Sequence, residues 1–331
     1  MSSALIFFIF ASMLKWFIGN RPIVMLLLPA VIAIYVLLNL WSNYYEYSVF
    51  TNLGVWGDKF EFPRWMTLIL GPSFVLANAI FLTNLFNKNS FIDRNTYITS
   101  LVYVAYFSFY HSFYQLDGLT ISHSLLILSL FEIFKLQPNE DGKKYIFNAG
   151  FFAGLAMTFH PALLLFLPFL LLMVLIIRPF VLREIILLII GFLVPFIYAY
   201  AYYWFNDNQI NMRLITVSTD IKKLRIDFLV TVILFAFTVL LSLLALNRQS
   251  QKTSIRAKKL MRVLLMFSIC CVLLGSLDFI FFGQIERFSL LFIPLSFFLT
   301  FGLQNKSYQW LSSALLYLVL AYGIGKLFLW N

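Results

Sequence analysis

Three carboxylates stand in the first long polar interruption of an otherwise apolar chain. Glu46, Asp58 and Glu61 lie within WSNYYEYSVFTNLGVWGDKFEFPR, residues 41–64, among five tyrosine and tryptophan residues. A carboxylate on a water-exposed loop could act as a general base and take the proton of an acceptor hydroxyl. We therefore expect this loop to form part of a site at one face of the molecule.

Further ionisable residues stand near the ends of other apolar runs, and we expect them on the same side of a membrane. The predicted substrate-binding residues are Asp117, His160, Lys222, Arg225, Asp278, Glu286 and Arg287. The cations among them could neutralise a phosphate or a diphosphate, which arginine binds well through two parallel hydrogen bonds. If the helices close into a bundle, these side chains could converge on one outer cavity.

Each of these residues also has a purely structural interpretation. Asp117 precedes an apolar run in LDGLTISHS, where an aspartate is a good helix N-cap. Glu286 and Arg287 could form a local ion pair in a turn, and His160 before Pro161 could be a hydrogen-bonded helix breaker. Asp278 is different, because an ionisable group inside a membrane span is costly and requires a partner or a function.

The composition sets the class of protein that must position these groups. The 331 residues are 62% hydrophobic and only 11% charged, with a mean hydropathy of +0.89. A soluble domain is about 45–50% apolar and about 25% charged, so the solvent for this chain must be a bilayer. Backbone groups in lipid must be satisfied within the chain, and the apolar runs do not alternate, which favours helices.

The sequence therefore predicts an all-α, polytopic transmembrane helical bundle that forms a single integral membrane domain over residues 1–331. Residues 1–20 are expected to form an interfacial or re-entrant helix that is not cleaved. About eleven spans are predicted, at 22–41, 66–86, 96–113, 119–136, 145–159, 161–177, 184–204, 228–246, 263–282, 288–303 and 308–329.

The charges indicate which ends of the helices face the cytoplasm. With a cytoplasmic N-terminus, 16 of the 24 Lys and Arg residues fall on the cytoplasmic side and 9 of the 14 acidic residues fall outside. The positive-inside rule favours this register. It predicts a multi-pass protein of the cell inner membrane with a periplasmic C-terminus, long outer loops at 42–65 and 205–227, and a basic cytoplasmic loop at 247–262.

The net charge of +10 is thus explained by topology, and no nucleic acid partner is predicted. The only cysteines, Cys270 and Cys271, are adjacent within an apolar run, and no Cys/His spacing indicates a metal site. The sequence predicts membrane lipid as a partner and no resident cofactor.

Three stretches resemble the multi-spanning glycosyltransferases of the C-type fold. They are the acidic loop that follows the first span, the segment GFFAGLAMTFHPALLLFLPFLLLMVLI at 150–176, and the turn ERFSLLFIP at 286–294. The order of these pieces is similar to that in the family, although the chain lacks the family's adjacent acidic pair after the first helix and carries His160 where a basic residue is expected.

The resemblance implies an enzyme that uses a polyprenyl-phosphate sugar as its donor at the outer face of the membrane. It implies Glu46 or Asp58 as the catalytic base and Arg287 as a residue that holds the lipid phosphate. It leaves open whether a divalent cation takes part. Over most of its length, the chain also resembles an uncharacterised polytopic membrane family of Bacteroidetes, which implies the layout of the helices and no activity.

Three functions remain open from the sequence. The first is a lipid-linked-sugar transferase or a degenerate relative of one. The second is a non-catalytic membrane subunit of a larger cell-envelope assembly with membrane-protein partners, which the missing acidic pair favours. The third is a transporter or lipid flippase, which would require polar residues near the midplane, where only Asn78 and His123 are candidates.

Overall fold

The computed structural model confirms a bundle of helices. It describes residues 16–19, 21–45, 50–51, 53–56, 60–61, 63–110, 113–138, 140–205, 226–282 and 286–329. Within these residues the helices are α1 (Leu27–Ser42), α2 (Arg64–Lys88), α3 (Ile98–Phe107), α4 (Gly118–Phe134), α5 (Lys143–Phe159), α6 (Phe166–Ile177), α7 (Leu182–Phe205), α8 (Ile226–Lys252), α9 (Ile255–Phe282), α10 (Phe292–Gln304) and α11 (Gln309–Leu329).

Each of the eleven predicted segments corresponds to one of these helices. Seven helical segments in the described part of the chain are long and apolar enough to cross a membrane. The helix α3 has 10 residues and would extend only about 15 Å, which is half of a bilayer core of about 30 Å. The structure therefore confirms a polytopic helical bundle, whereas the count of eleven spans stays a prediction.

Three helices begin with a 3₁₀ segment, which changes the direction of the chain before the α-helix starts. Pro22–Leu26 precedes α1, Pro161–Leu165 precedes α6, and Glu286–Leu291 precedes α10. Proline suits the start of the first two segments, because its ring fixes φ and its missing N–H would have no helical partner there.

The helices α3 and α10 form the centre of the bundle. Every residue of α3 is buried, and so is α10 from Phe292 to Leu303. The apolar window of Arg287–Gln304 is 83% buried, whereas that of Leu182–Phe205 is only 28% buried and carries exposed apolar side chains. A hydrogen bond of 3.1 Å between the hydroxyls of Thr99 and Thr300 joins the two central helices.

The helices α5 and α7 approach each other most closely through glycine. A Cβ on Gly154 would lie 2.0 Å from the carbonyl oxygen of Phe192, and a Cβ on Gly150 would lie 2.4 Å from that of Leu188. From the other side, a Cβ on Gly191 would lie 2.4 Å from the carbonyl oxygen of Phe147. This is the close backbone contact that small residues permit between membrane helices.

Successive helices run in opposite directions, so the bundle has two ends. We call the end with His160, Arg287 and Tyr45 the Arg287 end, and the opposite end the Arg178 end. At the Arg178 end, the buried side chains of Arg178 and Glu184 form an ion pair at 3.1 Å. The described cations that the sequence assigns to the cytoplasm lie at this end, although its orientation in a membrane stays a prediction.

Several predicted boundaries differ from the structure, including the end of α3, which is Phe107 where the sequence predicts 113. The basic segment 247–262 is almost entirely helical, because α8 continues to Lys252 and α9 begins at Ile255. A helix continues beyond its apolar part, so the first charged residue does not mark its end. At the N-terminus, the predicted helix over 1–20 lies mostly outside the described residues; within it, Trp16 is exposed and Phe17 is buried.

Candidate functional site

The break between α5 and α6 is joined directly to the turn before α10. The Nε atom of Arg287 donates a hydrogen bond of 2.8 Å to Nε2 of His160. His160 ends α5 with extended backbone, and its N–H donates to the carbonyl of Ala156 at 2.9 Å. Two segments that are 127 positions apart in the chain are thus brought into contact at the Arg287 end.

The contact fixes the protonation state of His160. Its Nε2 accepts from a permanently charged guanidinium, so this nitrogen carries no proton and the ring is neutral. Removal from water and the nearby Arg287 cation lower the pKa of His160 to about 3. His160 therefore orients the guanidinium of Arg287 and adds no positive charge of its own.

A second histidine lies in a buried polar chain next to this pair. His123 on α4 is fully buried, with Nε2 at 3.1 Å from the hydroxyl of Ser289 and Nδ1 at 3.1 Å from the hydroxyl of Tyr103. Asn78 donates to the same Tyr103 oxygen at 3.4 Å. The sequence predicts Asn78 and His123 as separate midplane candidates; the structure connects them through Tyr103 in one enclosed chain.

The described part of the first loop packs on the end of α5. Gly54 has a φ of +66°, and a Cβ at this position would lie 2.3 Å from the carbonyl oxygen of Phe159. In the same 3₁₀ turn, Trp56 donates from Nε1 to the hydroxyl of Thr158 at 3.0 Å. Tyr203 on α7 donates to the carbonyl of Val55. The loop is thus attached beside His160, which agrees with the expectation that it belongs to this end.

Asp117 has the structural role that its position predicts. Its Oδ1 accepts a hydrogen bond of 2.7 Å from the backbone N–H of Thr120, which caps α4. Ser122 on the first turns of α4 donates to the carbonyl of Ala156 at 3.0 Å. Asp117 therefore starts the helix that lies against the end of α5.

The side chains of the other predicted site residues lie outside the described residues. Asp278 lies in α9 and Glu286 begins the 3₁₀ segment before α10, but their side chains are outside the described residues. The remaining predicted site residues, also outside the described residues, are Glu46, Asp58, Lys222 and Arg225. Their roles stay predictions.

A buried lysine at the same end was not predicted. Lys326 on α11 is 3% exposed, and its Nζ donates to the hydroxyl of Tyr45 at 2.7 Å. Tyr45 in turn donates to the carbonyl of Phe109 at 2.8 Å, and Asn39 bonds both backbone groups of Tyr45. The sequence signal is a lone cation in GIGKLF near the end of an apolar helix, a pattern that also suits a lysine reaching the headgroups.

Aromatic rings connect this lysine cluster to the buried histidine. Tyr45 stacks on Tyr114 with centroids 5.2 Å apart, and Tyr114 contacts Phe113 at 5.0 Å. Phe113 contacts Phe107, which lies 5.1 Å from the ring of His123. In the described part of the Arg287 end, both Arg287 and Lys326 are held by hydrogen bonds, and buried aromatic rings fill the space between Lys326 and His123.

A family model matches residues 49–325, which is most of the chain. The chain belongs to DUF6427, a family of unknown function. Neither the curated proteins nor the solved structures contain a match to it. The DUF6427 match includes His160 and Arg287 but begins after Glu46 and ends just before Lys326.

Membership of DUF6427 confirms the prediction of an uncharacterised family, and the family description names no activity.

Proposed function

We propose that this DUF6427 protein is a glycosyltransferase that uses a polyprenyl-phosphate sugar at the Arg287 end of the bundle. The observation that carries the proposal is the Arg287–His160 contact. It joins two of the three segments, 150–176 and 286–294, on which the resemblance to C-type glycosyltransferases rests. Arginine binds a phosphate well through two parallel hydrogen bonds, and the contact with neutral His160 holds the guanidinium in place at this end.

The proposed chemistry is a displacement at the anomeric carbon of the sugar. Glu46 or Asp58 removes the proton of the acceptor hydroxyl, whose oxygen forms the new bond to that carbon. The bond from the carbon to the phosphate oxygen breaks, and its electron pair leaves with the polyprenyl phosphate. Arg287 stabilises the charge that develops on this phosphate, with Lys222 and Arg225 as further cations. Asp278, Glu286 and Asp117 are proposed to line the same chamber, in which a divalent cation could accompany the phosphate.

The proposed location follows from the charge distribution. The Arg178 end carries most of the cations, so the positive-inside rule favours a cytoplasmic position for it. The Arg287 end would then face the periplasmic side of the cell inner membrane. That is the face at which the resemblance implies that the polyprenyl-phosphate sugar is used.

The test is a complementation series in a strain that lacks the gene. Cell-surface glycans are compared by mass spectrometry after complementation with the wild-type protein, Glu46→Gln, Asp58→Asn or Arg287→Gln. We expect a glycan mass to be lost in the deletion strain, restored by the wild type, and not restored by Arg287→Gln and at least one carboxylate variant. Arg262→Gln, an exposed cation at the opposite end, is the matched control and should restore it.

A full complement of glycans with Arg287→Gln, at wild-type protein levels in the membrane, would contradict the proposed role of the arginine. Full restoration by both carboxylate variants would remove the proposed base.

A non-catalytic membrane subunit is the second candidate, and one observation favours it. One described site residue already has a structural role, because Asp117 caps α4. Purification in a mild detergent tests this function. A stoichiometric envelope-protein partner, together with normal glycans in the Arg287→Gln strain, would favour the subunit; an isolated protein that retains polyprenyl phosphate would favour the enzyme.

A further inference from the structure

A polar cavity of about 580 Å³ lies at the Arg178 end, far from the proposed transferase site. It is open to the surface and is lined by the C-terminal ends of α2 and α4, the start of α5 and the start of α9. We call it the Lys88 cavity, and its charged lining residues are Lys88, Glu132, Lys135, Glu140, Lys144 and Arg256. Its volume is within the range of roughly 300–1,000 Å³ that small-molecule sites have.

Several of the cations are held in place by the protein. Lys135 pairs with Glu132 and lies 4.4 Å from the ring centroid of Phe131, while Lys88 lies 5.2 Å from the same ring. Arg256 donates to the carbonyl of Phe134 at 3.1 Å. The cavity therefore presents an ordered cluster of positive charge.

Capping of α4 explains only part of this charge. A helix C-terminus carries the equivalent of about half a negative charge, which attracts cations. Four cations and two carboxylates line the cavity, and the C-termini of α2 and α4 add the equivalent of about one negative charge, so a positive excess of about one remains. Lys144, moreover, lies in the first turn of α5, where the helix dipole disfavours a cation. An anion in the cavity would account for both features, since a helix N-terminus also favours negative charge.

Glu132 supplies a second, independent observation. Its side chain is 10% exposed, and its Oε1 atom pairs with Lys135. Among the described residues, its Oε2 atom has no hydrogen-bond donor. A buried carboxylate oxygen without a donor is costly, so a donor on a bound molecule would complete it.

We propose that the Lys88 cavity binds a phosphate ester that carries a hydroxyl or amino donor close to the phosphate. The phosphate contacts Lys88, Lys144 and Arg256, and the donor group binds Oε2 of Glu132. A phospholipid headgroup and a soluble phosphorylated polyol share this chemistry, and the experiment below distinguishes them. The proposal does not depend on the transferase function.

The experiment measures binding to the full-length protein in an uncharged detergent. The soluble probe is glycerol 3-phosphate, titrated by calorimetry, and the lipid probe is phosphatidylglycerol against phosphatidylcholine, counted as bound lipids by native mass spectrometry. Lys88→Gln/Lys144→Gln removes two exposed cations of the cavity. Arg94→Gln/Lys306→Gln removes two exposed cations of the same end that do not line it, and is the matched control.

We expect at least one probe to bind the wild type and the control equally, and the Lys88→Gln/Lys144→Gln variant about tenfold more weakly or worse. Binding of glycerol 3-phosphate alone identifies a soluble ligand, and selective binding of phosphatidylglycerol alone identifies a headgroup. Glu132→Gln should reduce the preference for glycerol 3-phosphate over inorganic phosphate several-fold. The proposal is overturned if neither probe binds, or if the control variant loses as much affinity as the cavity variant.

Discussion

Gly154→Ala tests the closest helix contact of the bundle. The new Cβ would lie 2.0 Å from the carbonyl oxygen of Phe192, 2.7 Å from its carbonyl carbon and 2.8 Å from its Cα. All three atoms belong to the backbone of α7, so a side-chain rotation cannot relieve the clash. The two helices would have to separate by more than 1 Å to reach an ordinary contact of roughly 3.4 Å or more.

The expected loss of stability follows from two opposing effects. Overpacking costs about 1–3 kcal/mol, and a backbone clash belongs at the upper end of that range. Alanine offsets about 1 kcal/mol of this cost, because it has a higher helix propensity than glycine. The net loss should be about 2 kcal/mol, which corresponds to a fall in Tm of roughly 3 °C for a protein of this size.

Gly302→Ala is the matched control. Its Cβ would lie 2.5 Å from the hydroxyl oxygen of Ser312, which can rotate away. The assay is thermal unfolding of the purified variants in one detergent, followed by tryptophan fluorescence. Gly302→Ala should unfold close to the wild type, and a Gly154→Ala protein that is as stable as the wild type would refute the packing argument.

Three further predictions concern single interactions and use the same unfolding assay unless stated. Asp117→Ala should lower the free energy of unfolding by about 1 kcal/mol because α4 loses its N-cap, and Asp117→Asn should lower it less. Equal losses in the two variants would contradict the capping role of Asp117. Glu184→Gln should lower the free energy of unfolding by about 3–5 kcal/mol, because it leaves the buried cation of Arg178 without its carboxylate. An unchanged free energy of unfolding would mean that water reaches this pair. Trp56→Phe removes the bond to Thr158 and should increase hydrogen exchange in residues 53–56; unchanged exchange would show that the ring contacts alone hold the loop.

Hydropathy was sufficient to predict the helices but not all of their ends. Apolar runs separated by charged residues correspond to the eleven helices, because a spanning backbone must satisfy its own hydrogen bonds. Hydropathy predicts that α8 ends at residue 246, whereas the helix continues to Lys252. Charged residues are compatible with a helix outside the lipid, so the end of an apolar run is not the end of a helix.

The sequence predicts the interactions within one segment of the site, such as a helix cap, better than the contacts between helices. An aspartate before an apolar run predicts an N-cap, and Asp117 is one. The sequence placed His160 and Arg287 at one end of the bundle but could not predict that they touch, because that depends on how α5 and α10 pack. Lys326 was missed for a similar reason, since nothing near it in sequence indicates Tyr45 as its partner.

The most direct test of the account is a structure of the protein with a polyprenyl phosphate bound. The account predicts density for the phosphate against the guanidinium of Arg287, with the loop at 42–64 beside it. Polyprenyl phosphate bound only elsewhere on the bundle, with none against Arg287, would contradict the proposed site.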